Sequence, residues 1–374
     1  MRDRSRPPRP ARRLLRVADR AVLGLANGLV QFVDGAARPT MGNAPKELVL
    51  KKGKLEVHRL VPPAAQEVEI GTETLRVEAR RFPVPVLLVP PLMVRPYIYD
   101  LRPDHSLARM LRNRGFAVHI VDFGVPERED AGLRLEDYVL DFMPAAVEAT
   151  RKSAGSKDVS LVGYCMGGIF ALLYAAALGN DGVRSIVSIG APVNFEKMGL
   201  LTIAARLGAG RIDALMDRIG NIPGGAASQG FKLMSGAKAI TKWADLFIHL
   251  WDEEYVRGFD AVNTWVNELI PYPRDAFRQM VKDVVAGNKL LGRDLVLGGR
   301  KIDVGAVEVP LLAFAGRTDN IAPIASAADI VEIVGSRDKR FIEVPGGHVG
   351  VVAGRKARQA VWEPTADWLA PRSL

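Results

Sequence analysis

The stretch Val162-Gly163-Tyr164-Cys165-Met166-Gly167-Gly168 decides the fold of this 374-residue chain. An apolar run, Val159–Gly163, leads into the cysteine, and an Ala- and Leu-rich run, Gly167–Leu178, leads away from it. We expect a buried strand, a sharp turn that carries Cys165, and a helix. The G-x-C-x-G pattern is typical of a nucleophile elbow, because small flanking residues let a strained turn lift the central side chain above the sheet.

Cys165 is interpreted as a nucleophile. The N-terminus of a helix stabilises a thiolate placed on it, and the backbone N–H of Met166 can point at a developing oxyanion. The alternative is a structural residue on a glycine-rich turn, since a lone cysteine is more often a small buried hydrophobe. The strand–turn–helix context favours the nucleophile.

A cysteine nucleophile needs a base, and the chain offers five histidines. His58 and His119 lie in strand-like runs, His105 in the first turn of a helix, and His249 on a helix beside Trp251. His348 instead follows the strand-like Phe341–Pro345 and a Gly-Gly turn, where a nucleophile-elbow fold places its base.

The same chain order requires a carboxylate between nucleophile and histidine. Asp319 stands there, after the apolar strand Val309–Ala315. Taken singly, Asp319 and His348 could be turn or capping residues. Their order and their positions at strand ends together predict a Cys165, His348 and Asp319 triad.

A second oxyanion donor is expected from the loop after the strand Val86–Val89. The candidates are the N–H groups of Leu92, Met93 and Val94, because Pro90 and Pro91 have none to donate. We take Met93, with Met166, as the predicted oxyanion hole.

Strands and helices alternate on both sides of the elbow, which predicts an α/β class protein: an α/β-hydrolase fold with a mostly parallel sheet and helices on both faces. Residues 195–305 interrupt this alternation. They are mostly helical in pattern and hold three of the five tryptophans, which indicates a helical cap insertion. The predicted strands are Leu55–Val61, Val84–Pro90, Ala117–Asp122, Val159–Gly163, Val183–Ile189, Val309–Ala315 and Arg340–Val344, and the predicted helices are Asp104–Leu111, Leu135–Lys152, Gly167–Leu178 and Arg355–Leu369.

The domain prediction therefore has four parts: a basic tail and linker at 1–45, a first core part at 46–194, the cap at 195–305, and a second core part at 306–374. Residues 35–53 are polar and rich in turn formers, and we interpret them as a linker.

The composition limits the classes of protein to which the chain can belong. Hydrophobic residues make up 48% and charged residues 25% of the chain, as in ordinary globular proteins. One cysteine allows no intramolecular disulfide, which fits a reducing cytoplasm. That cysteine and five scattered histidines give no metal-ligand cluster, so no metal and no cofactor are expected.

The formal net charge of +9 is concentrated at the N-terminus, where residues 1–20 contain eight arginines and two aspartates. We interpret this tail as a solvated arm. An amphipathic anchor over Ala11–Val33, on an anionic membrane or granule surface, is the second interpretation. A secretory signal has weak support, since no small-residue cleavage site follows. Nucleic acid is not an expected partner, because no recognition motif accompanies the charge.

From about Gly42 to its C-terminus the chain resembles the catalytic subunit of polyhydroxyalkanoate synthase, particularly the short, class III-like type that works with a second subunit. Several matching stretches lie outside the core that all α/β hydrolases share. The stretches are Arg95–Leu101 (RPYIYDL), Val121–Pro126 (VDFGVP), Leu135–Tyr138 (LEDY), Gly163–Gly168 (GYCMGG), Ala191–Phe195 (APVNF), Gly220–Gly224 (GNIPG), Val296–Gly299 (VLGG) and Pro345–Gly350 (PGGHVG).

The resemblance implies an acyltransferase. Cys165, deprotonated by His348, would attack the thioester of a 3-hydroxyacyl-CoA, release CoA and carry the growing polyester. Asp319 would help to activate the 3-hydroxyl group for the next ester bond. The exchange of one sulfur for another is nearly isoenergetic, which suits a thiolate. A second synthase subunit and a second copy of the chain are candidate partners, and the surface of a polyester granule is a candidate location.

Two other functions use the same scaffold. One is a thioesterase, esterase or polyester depolymerase, against which a cysteine in place of serine argues. The other is a non-catalytic granule or membrane protein anchored by the basic tail, and the complete triad argues against it.

Overall fold

The computed structural model describes residues 41–374, except 63–66, 71–72, 78–81 and 235–237. Its central element is an eight-stranded sheet with the strand order β1-β2-β6-β5-β7-β8-β11-β12. The hairpins β3–β4 and β9–β10 stand apart from this sheet. The strands are β1 Lys46–Lys52, β2 Leu55–Leu60, β3 Glu67–Ile70, β4 Glu73–Arg76, β5 Val86–Val89, β6 Val118–Asp122, β7 Val159–Tyr164, β8 Val183–Ile189, β9 Leu295–Leu297, β10 Arg300–Ile302, β11 Leu311–Gly316 and β12 Lys339–Val344.

Six neighbouring strands, from β6 through β5, β7 and β8 to β11 and β12, run parallel. β2 pairs antiparallel with β6, and β1 pairs antiparallel with β2 at the sheet edge. The mostly parallel sheet predicted from the sequence is therefore confirmed. β7, which leads into Cys165, lies between β5 and β8 in the middle of the sheet.

The inner strands β5, β7 and β11 are buried along their whole length because helices cover both faces of the sheet. In β5, Leu87 and Val89 belong to the core on one face, while Val86 and Leu88 belong to the core on the other. Outside the cap, the helices are Leu107–Asn113, Leu135–Asp137, Met143–Ala154, Met166–Leu178, Ile324–Ala327, Ile330–Ile333, Gly350–Ala353 and Glu363–Arg372, with π-helical turns at Tyr138–Phe142 and Arg358–Trp362.

Residues 195–305, called the cap below, are helical over most of their described part. Several hydrogen bonds attach the cap to loops at the carboxyl ends of the parallel strands. The Trp265 indole donates to the Arg95 carbonyl, Ile270 N–H donates to the Met93 carbonyl, and the Asn221 amide donates to the Glu127 carbonyl. The helices of the cap are Leu200–Gly208, Ile212–Ile219, Gly224–Met234, Lys238–Ile248, Glu253–Asn267 and Arg274–Gln279, with a π-helical segment Met280–Ala286.

Three details of the sequence-based prediction are wrong. β1 lies inside residues 35–53, which we interpreted as a linker; as an edge strand it buries little, so its sequence lacks the apolar alternation of a core strand. The β9–β10 hairpin lies within the segment predicted as helical. His105 precedes the helix rather than occupying its first turn, because Ser106 is the N-cap and accepts from the Arg109 N–H. The four domain boundaries remain a prediction.

The basic tail, including the amphipathic stretch Ala11–Val33, lies outside the described residues. Within the described part of the chain, no helix has both the length and the apolar character needed to span a bilayer.

Candidate active site

Cys165 occupies a strained backbone conformation between β7 and the helix Met166–Leu178. Its φ is 52° and its ψ −121°, a combination that side-chain-bearing residues rarely adopt. The Cys165 N–H donates to the Ile189 carbonyl of β8 at 2.8 Å, which fixes the turn against the neighbouring strand. Such strain persists only where surrounding structure enforces it, and it is concentrated at functional sites.

Two glycines make this turn sterically allowed. A Cβ on Gly163 would lie 2.3 Å from the Gly167 carbonyl oxygen. A Cβ on Gly167 would lie 1.9 Å from the carbonyl oxygen of Val89 in β5. Both distances are far inside van der Waals contact, so the glycines of the G-x-C-x-G pattern are required by the close approach of three backbone segments.

The structure brings His348 and Asp319 to Cys165. His348 Nδ1 lies 2.8 Å from Asp319 Oδ2, and the two side chains are 5% and 0% exposed. The Cys165 thiol is the second side-chain hydrogen-bond partner of His348. The imidazole therefore bridges a carboxylate and a thiol, as in a nucleophile–base–acid arrangement.

Opposing effects determine the protonation of His348. Burial lowers its pKa, but the charges of Cys165 and Asp319 and the hydrogen bonds to both outweigh burial and raise the pKa to about 10. At neutral pH the imidazole is therefore held as imidazolium beside the sulfur. A cation at this distance favours the thiolate, which is the nucleophilic form of cysteine.

Backbone contacts orient both partners of the pair. The N–H groups of Ile321 and Ala322 donate to Asp319 Oδ1 at 2.8 Å each, so only Oδ2 faces His348. The Tyr164 hydroxyl donates to the His348 carbonyl at 3.2 Å from within the buried core. The loop after β11 and the loop after β12 are thus both fixed relative to the elbow.

The predicted oxyanion donors lie at the ends of β5 and β7. Met166 is the first residue of its helix, so its N–H has no intrahelical acceptor. Leu92, Met93 and Val94 form the turn after β5, and the Met93 carbonyl accepts from the cap residue Ile270. The choice of Met93 as the second donor remains a prediction.

A cavity of about 380 Å³ adjoins His348. The cap helix Glu253–Asn267 and Phe231 form one wall, and the loops after β11 and β12 form another. Its aromatic residues include Phe231 and Tyr255, and the Phe231 ring centroid lies 6.2 Å from that of His348. A mostly apolar chamber beside His348 suits an acyl chain better than a sugar or a nucleotide.

The other four histidines do not reach Cys165. His58 pairs with Glu56, His119 with Ser153, and His249 with the Asp245 carbonyl. His105 lines the cavity, but its Nε2 is hydrogen-bonded to the Gly354 carbonyl, and burial lowers its pKa to about 4.

Sequence reasoning missed three residues that shape the site: Tyr99, Tyr164 and Phe231. Tyr99 and Tyr164 lie in stretches that carry the family resemblance, RPYIYDL and GYCMGG, but no pattern indicated where their hydroxyls would point. Phe231 lies in the cap, where helical spacing alone does not reveal which face meets the core.

Comparisons with known proteins agree with this fold. A family model described as α/β hydrolase fold matches residues 99–218. Two solved structures share the fold. A soluble variant of monoglyceride lipase from Saccharomyces cerevisiae is 18% identical with a TM-score of 0.55, covering 90% of this chain and 97% of that one. A hydrolase from Pseudomonas aeruginosa PA01 is 14% identical with a TM-score of 0.52, covering 88% and 98%.

Relatives identified by sequence are more similar to this chain than these two solved structures are. A poly(3-hydroxyalkanoate) polymerase subunit PhaC from Allochromatium vinosum is 30% identical over 350 residues, which are 93% of this chain and 94% of the relative. The relative of the same name from Haloferax mediterranei is 32% identical over 338 residues; this chain spans 65% of its length. The one from Synechocystis is 30% identical over 339 residues, 89% and 86% of the two chains.

Proposed function

The chain belongs to the poly(3-hydroxyalkanoate) polymerase family, and we propose that it polymerises 3-hydroxyacyl-CoA thioesters into a polyester through a covalent intermediate on Cys165. One observation carries the chemical part of this proposal. Cys165, on a strained elbow, shares the buried imidazole of His348 with Asp319. This arrangement supplies a thiolate, a proton carrier and a fixed carboxylate in the order that acyl transfer requires.

In the first step the Cys165 thiolate attacks the thioester carbonyl. A carbon–sulfur bond forms to Cys165, and the carbonyl oxygen becomes an oxyanion that the Met166 N–H and one amide of the 92–94 turn would stabilise. Collapse of this intermediate breaks the bond to the CoA sulfur, which leaves with the proton of the His348 imidazolium.

In the second step the 3-hydroxyl group of another 3-hydroxyacyl-CoA attacks the thioester on Cys165. The hydroxyl proton passes to His348, whose positive charge Asp319 balances, and an ester bond forms as Cys165 leaves as thiolate. A further attack by Cys165 on the new CoA thioester releases CoA and returns the lengthened chain to the enzyme. Asp319 matters most here, since a hydroxyl group needs a stronger base than a thiol does.

The cavity beside His348 is the proposed site of the acyl chain. The reaction uses no cofactor or metal besides the CoA ester of the substrate. Because the relatives are named as polymerase subunits, we propose that a second subunit, a second copy of this chain or both complete the active enzyme. A cytoplasmic location at the surface of the product granule fits this reaction.

The proposed reaction is tested by incubating purified protein with 3-hydroxybutyryl-CoA. A thiol reagent measures the CoA that is released, and mass spectrometry identifies the product. Polymer, or oligomer bound to Cys165, is the expected product. Cys165→Ala should release no CoA, and Cys165→Ser, which keeps shape but loses the thiolate, is the matched variant and should be strongly impaired.

Release of CoA with only free 3-hydroxybutyrate would instead make the protein a thioesterase. Full turnover by Cys165→Ala would refute the covalent mechanism. If the protein alone releases nothing, the same assay is repeated with a candidate partner subunit and with longer acyl chains.

A further inference from the structure

The Tyr99 hydroxyl connects the two strand ends between which the predicted oxyanion site lies. It donates to the Val89 carbonyl at 2.7 Å and accepts from the Tyr164 N–H at 2.9 Å. Val89 is the last residue of β5, and Tyr164 immediately precedes Cys165. Tyr99 is fully buried, so water does not compete for either bond.

The Tyr99 hydroxyl occupies the place of a ladder bond. The last residue pair between β5 and β7 is Val89 with Gly163, and Ser160 N–H donates to the Pro85 carbonyl earlier in the same ladder. Continued regularly, this pattern would join Tyr164 N–H directly to the Val89 carbonyl. The hydroxyl stands between these two groups instead, so it holds the strand ends further apart than a direct bond would.

Tyr99 is itself held rigidly. It lies in the 3₁₀ helix Pro96–Asp100, and its carbonyl accepts from the Ser106 hydroxyl. The neighbouring Asp100 side chain accepts from the Ala44 N–H and from Arg109 Nε, both at 2.8 Å. A hydroxyl on such a rigid segment can hold Val89 and Tyr164 at a fixed separation.

We propose that Tyr99 is a positioning residue that sets the separation between the Met166 amide and the amides of the 92–94 turn, and so shapes the oxyanion hole. It acts through Val89, three residues before Leu92, and through Tyr164, two residues before Met166. Both of these hydrogen bonds go to backbone groups, not to the thiol or to His348. The inference rests on the proposed attack of Cys165 on a carbonyl, but not on a particular substrate.

Two reagents distinguish an effect of Tyr99 on the oxyanion hole from an effect on the thiolate. p-Nitrophenyl acetate acylates a nucleophilic cysteine through an oxyanion, whereas iodoacetamide alkylates the same thiolate by direct displacement, with no oxyanion. Both reactions are followed on Cys165 by mass spectrometry in the full chain. Tyr99→Phe is compared with wild type and with Tyr174→Phe, which removes a hydroxyl from a buried tyrosine further along the helix Met166–Leu178.

For Tyr99→Phe we expect acylation to slow by about tenfold or more, since loss of an oxyanion donor costs about 10²–10³. Alkylation should stay within about twofold of wild type across the pH range, and Tyr174→Phe should match wild type in both reactions. Unchanged acylation would overturn the inference. An equal loss of both rates would also overturn it, because Tyr99 would then only support folding.

The proposed function and this inference can fail separately. If wild-type protein is acylated by p-nitrophenyl acetate but releases no CoA from any 3-hydroxyacyl thioester, the polymerase proposal fails while the role of Tyr99 is still measured. If CoA is released normally by Tyr99→Phe, the inference fails and the polymerase proposal stands.

Discussion

His348 Nδ1 lies 2.8 Å from Asp319 Oδ2, and the other oxygen of that carboxylate is occupied by the N–H groups of Ile321 and Ala322. The carboxylate is thus presented to the imidazole through one oxygen only. Because Nδ1 faces Asp319, Nε2 is the imidazole nitrogen that is left to face Cys165.

Asp319→Asn should separate the two chemical steps. The Asn oxygen can replace Oδ1 as the acceptor, which turns the amide NH₂ toward His348 and favours the wrong imidazole tautomer; in a serine protease the equivalent change costs about 10⁴ in kcat. A thiol, with an ordinary pKa of about 8.5, ionises far more readily than a hydroxyl group, so acylation of Cys165 should survive in part, whereas elongation should cease. Mass spectrometry of acyl-Cys165 and of polymer measures both, and normal polymer from the variant would contradict the assigned role.

His348→Gln should change how thiol reactivity depends on pH. The pKa of His348 is raised to about 10, so its imidazolium persists as the pH rises from about 6 to 9, and a neighbouring cation favours the thiolate form of a cysteine. Iodoacetamide alkylation of wild type should accordingly be almost constant over this range. In the variant it should be slow at pH 6 and increase with pH, as for a free thiol. Parallel profiles for the two proteins would refute the ion pair.

Gly167→Ala should destabilise the fold as well as the site. The added Cβ would lie 1.9 Å from the Val89 carbonyl oxygen, which belongs to the sheet and cannot rotate away. Overpacking of this kind costs about 1–3 kcal/mol of unfolding free energy, and backbone contact puts the expected cost at the upper end. Urea unfolding provides the measurement.

Gly132→Ala is the matched control for that change, since a Cβ there meets nothing within 4 Å and the residue is exposed. It should be neutral or stabilising by up to about 1 kcal/mol. Equal unfolding free energies for the two variants would show that the elbow tolerates a side chain.

Phe231→Ala should alter which acyl chains the enzyme accepts. The ring lines the cavity beside His348, so its removal lengthens the space available to the acyl group. The ratio of kcat/KM for longer over four-carbon acyl-CoA substrates should rise by about tenfold or more, the discrimination that a few methylene groups supply.

Leu233→Ala tests whether that effect belongs to the cavity. Leu233 lies two residues further along the same helix and is 80% exposed. Its truncation should leave the ratio unchanged. A similar shift in both variants would attribute the effect to the helix rather than to the cavity wall.

The parallel core was predictable because its inner strands β5, β7 and β11 are short, mostly apolar runs. The elbow strand, β5 and β11 lie within a few residues of their predicted positions. Cys165, His348 and Asp319 could be selected for the same reason, since chain order and strand ends locate them without any knowledge of side-chain direction.

Features that depend on contacts between distant segments were not predictable. β1 gains its place by hydrogen bonding to β2, while its own side chains remain largely exposed. The role of Tyr99 depends on its hydroxyl reaching Val89 and Tyr164, and nothing in its neighbouring residues encodes that geometry.

The backbone of Cys165 carries a further consequence. A φ of 52° with a ψ of −121° costs a side-chain-bearing residue about 1–3 kcal/mol, and glycine would adopt it with little penalty. Selection for thermal stability alone would therefore tend to replace Cys165 by glycine. With Cys165 as the proposed nucleophile, a library screened only for heat resistance should recover inert proteins that carry glycine at this position.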